Sequence, residues 1–199
     1  VPATADKALH RLAPAISLFS AFAAFAVVPV GDVYSVPGFG TVQLWIADLN
    51  VGVLYLLGVA SLGVYGIVLG GWSSGNKYSL LGGMRSAAQI VSYEIPTGLA
   101  ILVIVLLSGT LSLQGIIAAQ GAYPWQWFIF NNPFTAVTFF ILFISALAEG
   151  NRAPFDIPEA ESELVSGYST EYSGMRFVFF YFEEWANIYL IAAVGTSLF

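Results

Sequence analysis

The sequence predicts an all-α polytopic membrane protein with about five transmembrane helices and a structured acidic loop on the cytoplasmic side. Of its 199 residues, 58% are hydrophobic and 9% are charged, and the mean hydropathy is +0.80. Soluble domains carry about a quarter charged residues, so this composition is typical of membrane proteins. A membrane-spanning helix needs roughly 20 mainly apolar residues. Five stretches qualify within one predicted transmembrane domain, 1–199, and they cover residues 9–30, 51–71, 86–108, 130–148 and 177–199.

The basic residues predict the orientation of these spans. If the spans alternate in direction, residues 1–8, 72–85 and 150–176 lie on one side of the membrane. All six basic residues then lie on or beside that side, and they are Lys7, Arg11, Lys77, Arg85, Arg152 and Arg176. Basic residues concentrate on the cytoplasmic side of membrane proteins. The loops 72–85 and 150–176 are therefore predicted to be cytoplasmic, and a bacterial inner (plasma) membrane is preferred over an organelle membrane.

Charge is concentrated in one part of the chain. Ten of the 18 charged side chains lie between Glu149 and Glu184. Ionisable groups inside a span are costly and are usually functional. Glu94, Glu149 and one member of the Glu183–Glu184 pair are therefore predicted to form a hydrated row of carboxyls that carries protons. Adjacent helix positions point about 100° apart, so only one of the pair can face the bundle interior. The alternative for Glu94 is a structural pairing with Arg85 or a capped helix end.

The acidic loop also has a local pattern. Asp156 followed by Pro158 and Glu159 predicts a helix cap, and a short helix would then carry Glu159, Glu161 and Glu163. Carboxylates four residues apart repel each other unless a proton or cation intervenes. The alternative is an ordinary solvated acidic loop, with Arg152 and Arg176 at its two ends as intramolecular partners.

Several kinds of site are excluded by composition. The chain has no cysteine, so it cannot hold a thiolate-bound iron–sulfur cluster or a disulfide. Its single histidine excludes a histidine-rich metal site. No catalytic residue and no metal ligand is assigned, and any electron transfer is expected to end on a cofactor held elsewhere.

Two long runs resemble a known family. The runs IADLNVGVLYLLGVASLGVYGIVLGGWSSGNKYSLLGGMRSAAQIVSYEIP and AEGNRAPFDIPEAESELVSGYSTEYSGMRF are similar to the H-type membrane subunit of respiratory complex I, the proton-pumping NADH:quinone oxidoreductase. The resemblance implies a core subunit of the membrane arm that forms part of a quinone-binding channel. It also implies a carboxylate path that couples quinone reduction to proton translocation.

The resemblance further implies the ligands and partners. Quinone would be the substrate, and this chain would bind no cofactor, because the FMN and iron–sulfur clusters lie in partner subunits. The implied partners are cluster-bearing peripheral subunits, small membrane subunits, antiporter-like subunits and membrane lipid, with no nucleic acid. Family members have eight spans, so a chain with five is expected to be part of a longer subunit and to form only part of the quinone site.

The family motifs also assign roles to residues. The residues assigned to the quinone chamber and its coupling loop are Arg152, Asp156, Glu159, Glu161, Glu163, Glu171 and Arg176. The proton path is assigned to Glu94, Glu149 and Glu184, with Glu183 as the less certain neighbour, and Arg85 is a charge partner.

Two other functions stay open at this stage. A homologous membrane subunit of an energy-converting hydrogenase would keep the fold but use no quinone. A stand-alone ion channel or transporter would need inverted repeats or paired discontinuous helices, and the sequence shows no internal repeat.

Overall fold

The computed structural model describes residues 5–31, 33–36, 38, 40–155 and 166–199. The helices are α1 (Lys7–Phe25), α2 (Gly52–Ser73), α3 (Lys77–Ser108), α4 (Leu113–Ala119), α5 (Phe128–Asn131), α6 (Pro133–Glu149) and α7 (Met175–Leu198). Strands β1 (Val33–Val36) and β2 (Gly40–Gln43) form an antiparallel hairpin between α1 and α2. Short 3-10 turns occur at Pro124–Gln126 and Gly167–Ser169. The predicted all-α membrane fold is confirmed.

The long helices match the predicted spans, with two differences. Helices α1, α2, α3 and α7 are each long and apolar enough to cross a membrane, whereas α6 has only 17 residues. Its length is therefore about 25 Å at 1.5 Å per residue. Helix α3 begins at Lys77 instead of near Ser86, so most of the predicted loop 72–85 is helical. The Asn76 side chain caps this earlier start by accepting a hydrogen bond from the Tyr78 N–H.

The helix ends meet at two ends of the bundle, as alternating spans require. At one end, the Asp6 N–H donates to the Ser73 carbonyl over 3.1 Å, which joins the start of α1 to the end of α2. At the other end, the Val53 N–H donates to the Leu111 carbonyl over 3.0 Å. We call the first the basic end, because α3 and α7 also begin there and Lys7, Lys77 and Arg176 lie at these helix starts.

The segments at the opposite end hold local structure that the apolar pattern did not predict. The hairpin lies in 31–50, and α4 and α5 lie in the region between α3 and α6. Asn132 separates α5 from α6, and its side chain accepts a hydrogen bond from the Thr135 N–H while the Thr135 hydroxyl accepts one from the Asn132 N–H. This reciprocal cap fixes the start of α6.

Small residues allow close packing between the helices. A Cβ on Gly71 of α2 would lie 2.7 Å from the Ser79 carbonyl oxygen and 3.3 Å from the Gly83 Cα of α3. Only a residue without a side chain permits that approach between membrane helices. The apolar core then extends from Val53 and Leu56 of α2 to Ile104 of α3 and Leu198 of α7.

Candidate functional site: a row of carboxyls between the helices

The end of α6 lies inside the bundle, well away from its basic end. Gln89 is about 18 Å along α3 from Lys77 at 1.5 Å per residue. Its Nε2 lies 2.8 Å from the Ala148 carbonyl oxygen, 2.8 Å from the Phe155 carbonyl oxygen and 3.1 Å from Asn151 Oδ1. Glu149 and the first residues of the loop therefore lie beside the middle part of α3, because α3 extends in both directions beyond this point.

We expect Gln89→Leu to release this part of the loop. Leucine has a similar size but cannot donate to the three acceptors, and each lost buried hydrogen bond costs about 1–3 kcal/mol when its acceptor stays buried. Faster proteolysis of the 150–155 segment in the full-length subunit would show the release. The Gln89→Glu variant keeps the shape of the side chain but carries acceptor oxygens in place of the amide N–H groups, so proteolysis of its 150–155 segment should be accelerated to a similar degree. Protection of this segment equal to wild type in both variants would contradict the expectation.

Glu94 contacts the neighbouring helix α2. The Ser61 hydroxyl of α2 donates a hydrogen bond to Glu94 Oε1, and Glu94 is partly buried. The α3 helix continues through Pro96, so the proline does not end the span. The contact with Ser61 places Glu94 against a neighbouring helix inside the bundle.

The Glu183–Glu184 pair divides between two surfaces of α7. Glu183 is only 3% exposed, and it accepts a 2.6 Å hydrogen bond from Asn187 Nδ2. Glu184 lies 3.6 Å from the Arg152 guanidinium, which also packs over the Trp185 ring with 4.7 Å to the centroid. The two carboxyls point in different directions, as the helix period predicts. Glu183 is the member that faces the interior, whereas the family resemblance favoured Glu184.

Gly63 of α2 makes room for the Glu183 carboxyl. A Cβ on Gly63 would lie 3.2 Å from Glu183 Oε1 and 3.2 Å from the Ser20 hydroxyl oxygen of α1. Both distances are tighter than ordinary contacts of a Cβ, so any larger residue would displace the carboxyl or the hydroxyl. Glu183 thus lies where α1, α2 and α7 meet.

A small cavity connects Glu149 with Asn187. Its volume is about 40 Å³, and its lining includes Glu149, Asn187 and Thr97 among apolar side chains of five helices. A buried water needs about 10–15 Å³ of such space, so the cavity has room for about one to three waters. Glu149 is close enough to Glu94, and Glu183 to Glu149, for their charges to interact. The structure therefore brings together the predicted row of Glu94, Glu149 and one acid of α7.

The second half of the acidic loop is anchored at the basic end. Asn76 Nδ2 donates to Glu171 Oε1 over 2.8 Å. Tyr172 stacks on His10 with ring centroids 4.0 Å apart, and its hydroxyl lies 3.3 Å from the Ser73 hydroxyl. Burial raises the pKa of the Tyr172 phenol, although the Ser73 hydrogen bond and the Arg176 charge act in the opposite direction. The phenol therefore stays neutral at physiological pH and serves as a structural anchor.

The remaining predicted loop residues fall outside the described part of the chain. These are Asp156, Glu159, Glu161 and Glu163, together with the short helix predicted to carry them. The structure thus places the two ends of the loop, with Glu149 and Arg152 at one and Glu171 and Arg176 at the other. Across the described ranges, no group of three or more His, Asp or Glu side chains is arranged to hold a metal ion.

Sequence reasoning missed three polar residues of the row. Ser61 donates a hydrogen bond to Glu94, Gln89 to the Ala148 carbonyl oxygen at the end of α6, and Asn187 to Glu183. Asn187 follows Glu183 by four residues, which places the two on neighbouring turns of one helix face. That spacing, within an apolar segment, was a signal available in the sequence. The contacts of Ser61 and Gln89 depend on other helices and had no local signal.

The fold and this site define a polytopic α-helical membrane protein with ionisable side chains in its interior. The family model described as NADH dehydrogenase matches residues 1–199, and the chain belongs to that family.

Curated relatives point to one component of an enzyme complex, the H-type subunit of NADH-quinone oxidoreductase. The chain is 51% identical over 199 residues to this subunit of Anaeromyxobacter dehalogenans, covering 100% of this chain and 46% of that protein. It is 51% identical over 211 residues to an H-type subunit of Geobacter sulfurreducens and 50% identical over 198 residues to that of Protochlamydia amoebophila. In both cases all of this chain and 59% of the relative are covered. The chain thus spans about half the length of the curated relatives it matches.

Proposed function

We propose that this chain belongs to the H-type core subunit in the membrane arm of a proton-pumping NADH:quinone oxidoreductase, in which it forms part of a quinone-binding channel and a carboxylate path for protons. The names of the relatives and the full-length family match support the assignment to this enzyme. The absence of cysteine in the sequence agrees with a subunit that has no redox centre of its own. The FMN and iron–sulfur clusters would then lie in partner subunits.

The observation that carries the proton path is the interior position of the three carboxyls. Glu94, Glu149 and Glu183 come from three different helices, and each has a polar contact or a cavity beside it. Acids that are kept inside a membrane bundle at such cost are usually part of ion or proton pathways. Glu184 stays a proposed member of the path, reached through its contact with Arg152.

The position of the loop suggests how quinone reduction would affect the carboxyls of this row. Reduction of a quinone to a quinol consumes two electrons and two protons, so side chains of the chamber that donate those protons would change their charge. The loop begins directly after Glu149 and returns to the bundle at Glu171. A change in charge or position along the loop would therefore act on the Glu149 carboxyl, which directly precedes the loop. Arg152, Arg176, Glu171 and the acids of 156–163 are proposed to line the chamber side, with Arg85 as a nearby charge partner.

The same proposal specifies the surroundings of the subunit. Its partners would be cluster-bearing peripheral subunits next to the acidic loop, small membrane subunits and antiporter-like subunits that receive the proton path. The subunit would lie in a bacterial inner membrane, with the acidic loop on the cytoplasmic side. Membrane lipid would cover the apolar surfaces that no protein subunit covers.

A photoreactive quinone analogue tests the quinone part of the proposal. In the purified complex, we expect light-dependent labelling of the full-length subunit, with crosslinks near the 150–176 loop. An excess of unlabelled quinone should compete with the label, because both would occupy one channel. A complex that reduces quinone while this subunit stays unlabelled would contradict the proposed quinone channel, whereas a complex that neither takes up the label nor reduces quinone would favour the hydrogenase type of membrane subunit.

A further inference from the structure

A groove at the basic end of the bundle has walls that carry charges of both signs. It lies where α1 begins, α2 ends and α3 begins, and its lining includes Asp6, Trp72 and Lys77. Its volume is about 490 Å³, and sites for small molecules typically measure about 300–1,000 Å³. The described lining of this groove holds none of the carboxyls assigned to the proton path. The groove is therefore large enough for a ligand of its own.

The two charged side chains of the groove remain able to bind a ligand. Asp6 Oδ1 accepts hydrogen bonds from the Ala8 and Leu9 N–H groups over 2.9 and 3.2 Å, which caps α1. Within the described part of the chain, Asp6 Oδ2 accepts no hydrogen bond and no carboxylate pairs with the Lys77 ammonium. That ammonium lies 5.1 Å from the centroid of the Tyr78 ring. The groove thus offers a negative acceptor and a cation, which together match a ligand that carries both signs of charge.

The groove opens onto an apolar stripe along α3. Leu80 lines the groove and is itself exposed, and further exposed apolar side chains follow it at helical spacing on the same face. The stripe consists of Leu80, Met84, Val91, Ile95, Leu99 and Leu106. Trp72 is also exposed at the groove, as is typical of aromatic residues at the membrane–water interface. A phospholipid has the same order of groups, with a charged headgroup above apolar acyl chains.

From this arrangement, we propose that the groove binds a phospholipid with an ethanolamine headgroup. Its phosphate lies at Lys77, its ammonium donates to Asp6, and an acyl chain packs on the α3 stripe from Leu80 onward. An anionic headgroup would suit Lys77 but would place a second negative charge near Asp6, and like charges repel. A choline headgroup has no N–H to donate to the carboxylate. This inference rests on the proposed membrane location and lipid contact, and not on the quinone channel or the proton path.

A photoreactive lipid tests the site in the purified complex with the full-length subunit. The complex is placed in nanodiscs of phosphatidylcholine with a trace of phosphatidylethanolamine that carries a photoreactive group on one acyl chain. We expect light-dependent crosslinks on α3 within 80–84, and unlabelled phosphatidylethanolamine should compete more strongly than phosphatidylglycerol. Equal competition by the two lipids would overturn the assignment of the headgroup. No label within 80–84 would overturn the site itself.

Matched variants test the two charged side chains. Lys77→Gln removes the cation, whereas Asp6→Asn removes the negative charge and keeps the cap, because asparagine caps helices as well as aspartate does. Each change should lower the labelling about fivefold, as for one charged group at a lipid headgroup. Lys77→Arg should stay near wild type, and so should Lys7→Gln, which removes an exposed cation outside the described lining of the groove. Wild-type labelling in Lys77→Gln or Asp6→Asn, or an equal loss in Lys7→Gln, would overturn the inference.

The photoreactive quinone analogue, applied to the same samples, separates this inference from the proposed function. A subunit that is labelled by the lipid but not by the quinone analogue would contradict the quinone channel and support the lipid site. A subunit that is labelled by the quinone analogue but not by the lipid would overturn the lipid site alone. Only assembled complexes are compared, so a variant that fails to fold does not enter the measurement, and Lys77→Arg then reports on the charge of that position.

Discussion

Replacing Glu149 with glutamine in the full-length subunit is expected to slow proton pumping about 100-fold or more, the usual contribution of a positioned proton-transfer group. Glutamine has nearly the same shape and can still hydrogen-bond, but it cannot release and rebind a proton. Because Glu149 lies between the cavity and the start of the acidic loop, its loss would interrupt the proposed row next to that loop. Acidification by the complex in liposomes, driven by NADH and quinone, measures the effect.

Asp48→Asn is the matched control for this change. Asp48 is an exposed acid at the opposite end of the bundle, where it accepts a 3.2 Å hydrogen bond from the Ser112 hydroxyl. Its replacement also removes one negative charge but should leave pumping within about twofold of wild type, as surface changes usually have small effects. Glu94→Gln is expected to behave like Glu149→Gln. Normal pumping in both Glu94→Gln and Glu149→Gln would contradict the proton path.

Replacing Gly82 with alanine is expected to destabilise the protein by about 1–3 kcal/mol, because the new methyl group overpacks a filled site. A Cβ on Gly82 would lie 2.6 Å from the Gly167 Cα and 2.8 Å from the Tyr168 nitrogen. These are backbone atoms, so no side-chain rotation can relieve the clash. The segment must move away from α3 and break the 2.9 Å hydrogen bond from the Ser79 hydroxyl to the Tyr168 carbonyl. The midpoint of thermal unfolding in detergent measures the loss.

Gly98→Ala provides a control in the same helix. A Cβ on Gly98 has no atom within 4 Å, so it meets open space. Alanine is a better helix former than glycine by about 1 kcal/mol. This variant should therefore be neutral or slightly stabilised, and equal melting of the two variants would contradict the packing described for Gly82.

The sequence predicted the four long spans well, because each depends on local composition. An apolar run of about 20 residues in a helix indicates a span whatever its neighbours are. The position of the end of α6 was harder to predict, since the depth of Glu149 depends on how far α3 extends beside it. Lys77 and its neighbours are polar enough to suggest a loop, but the Asn76 cap and the contact of Gly71 with α3 make them helical.

The candidate site was predictable in its residue types but not in its geometry. Acids inside apolar segments identified Glu94 and Glu149, and the helix period divided Glu183 from Glu184. Which of that pair faces inward depends on the rotation of α7 in the bundle. Gly63 leaves space for Glu183, and that contact between α2 and α7 is not encoded in either segment alone.

The most direct test of the carboxylate path is infrared difference spectroscopy of the full-length complex during quinone reduction. If Glu149 exchanges a proton during turnover, the spectrum should show a carboxyl C=O band that changes with quinone reduction and shifts in D₂O. That band should be absent from Glu149→Gln and present in Asp48→Asn. A wild-type spectrum identical in this region to that of Glu149→Gln would show that Glu149 keeps one protonation state and would contradict the path.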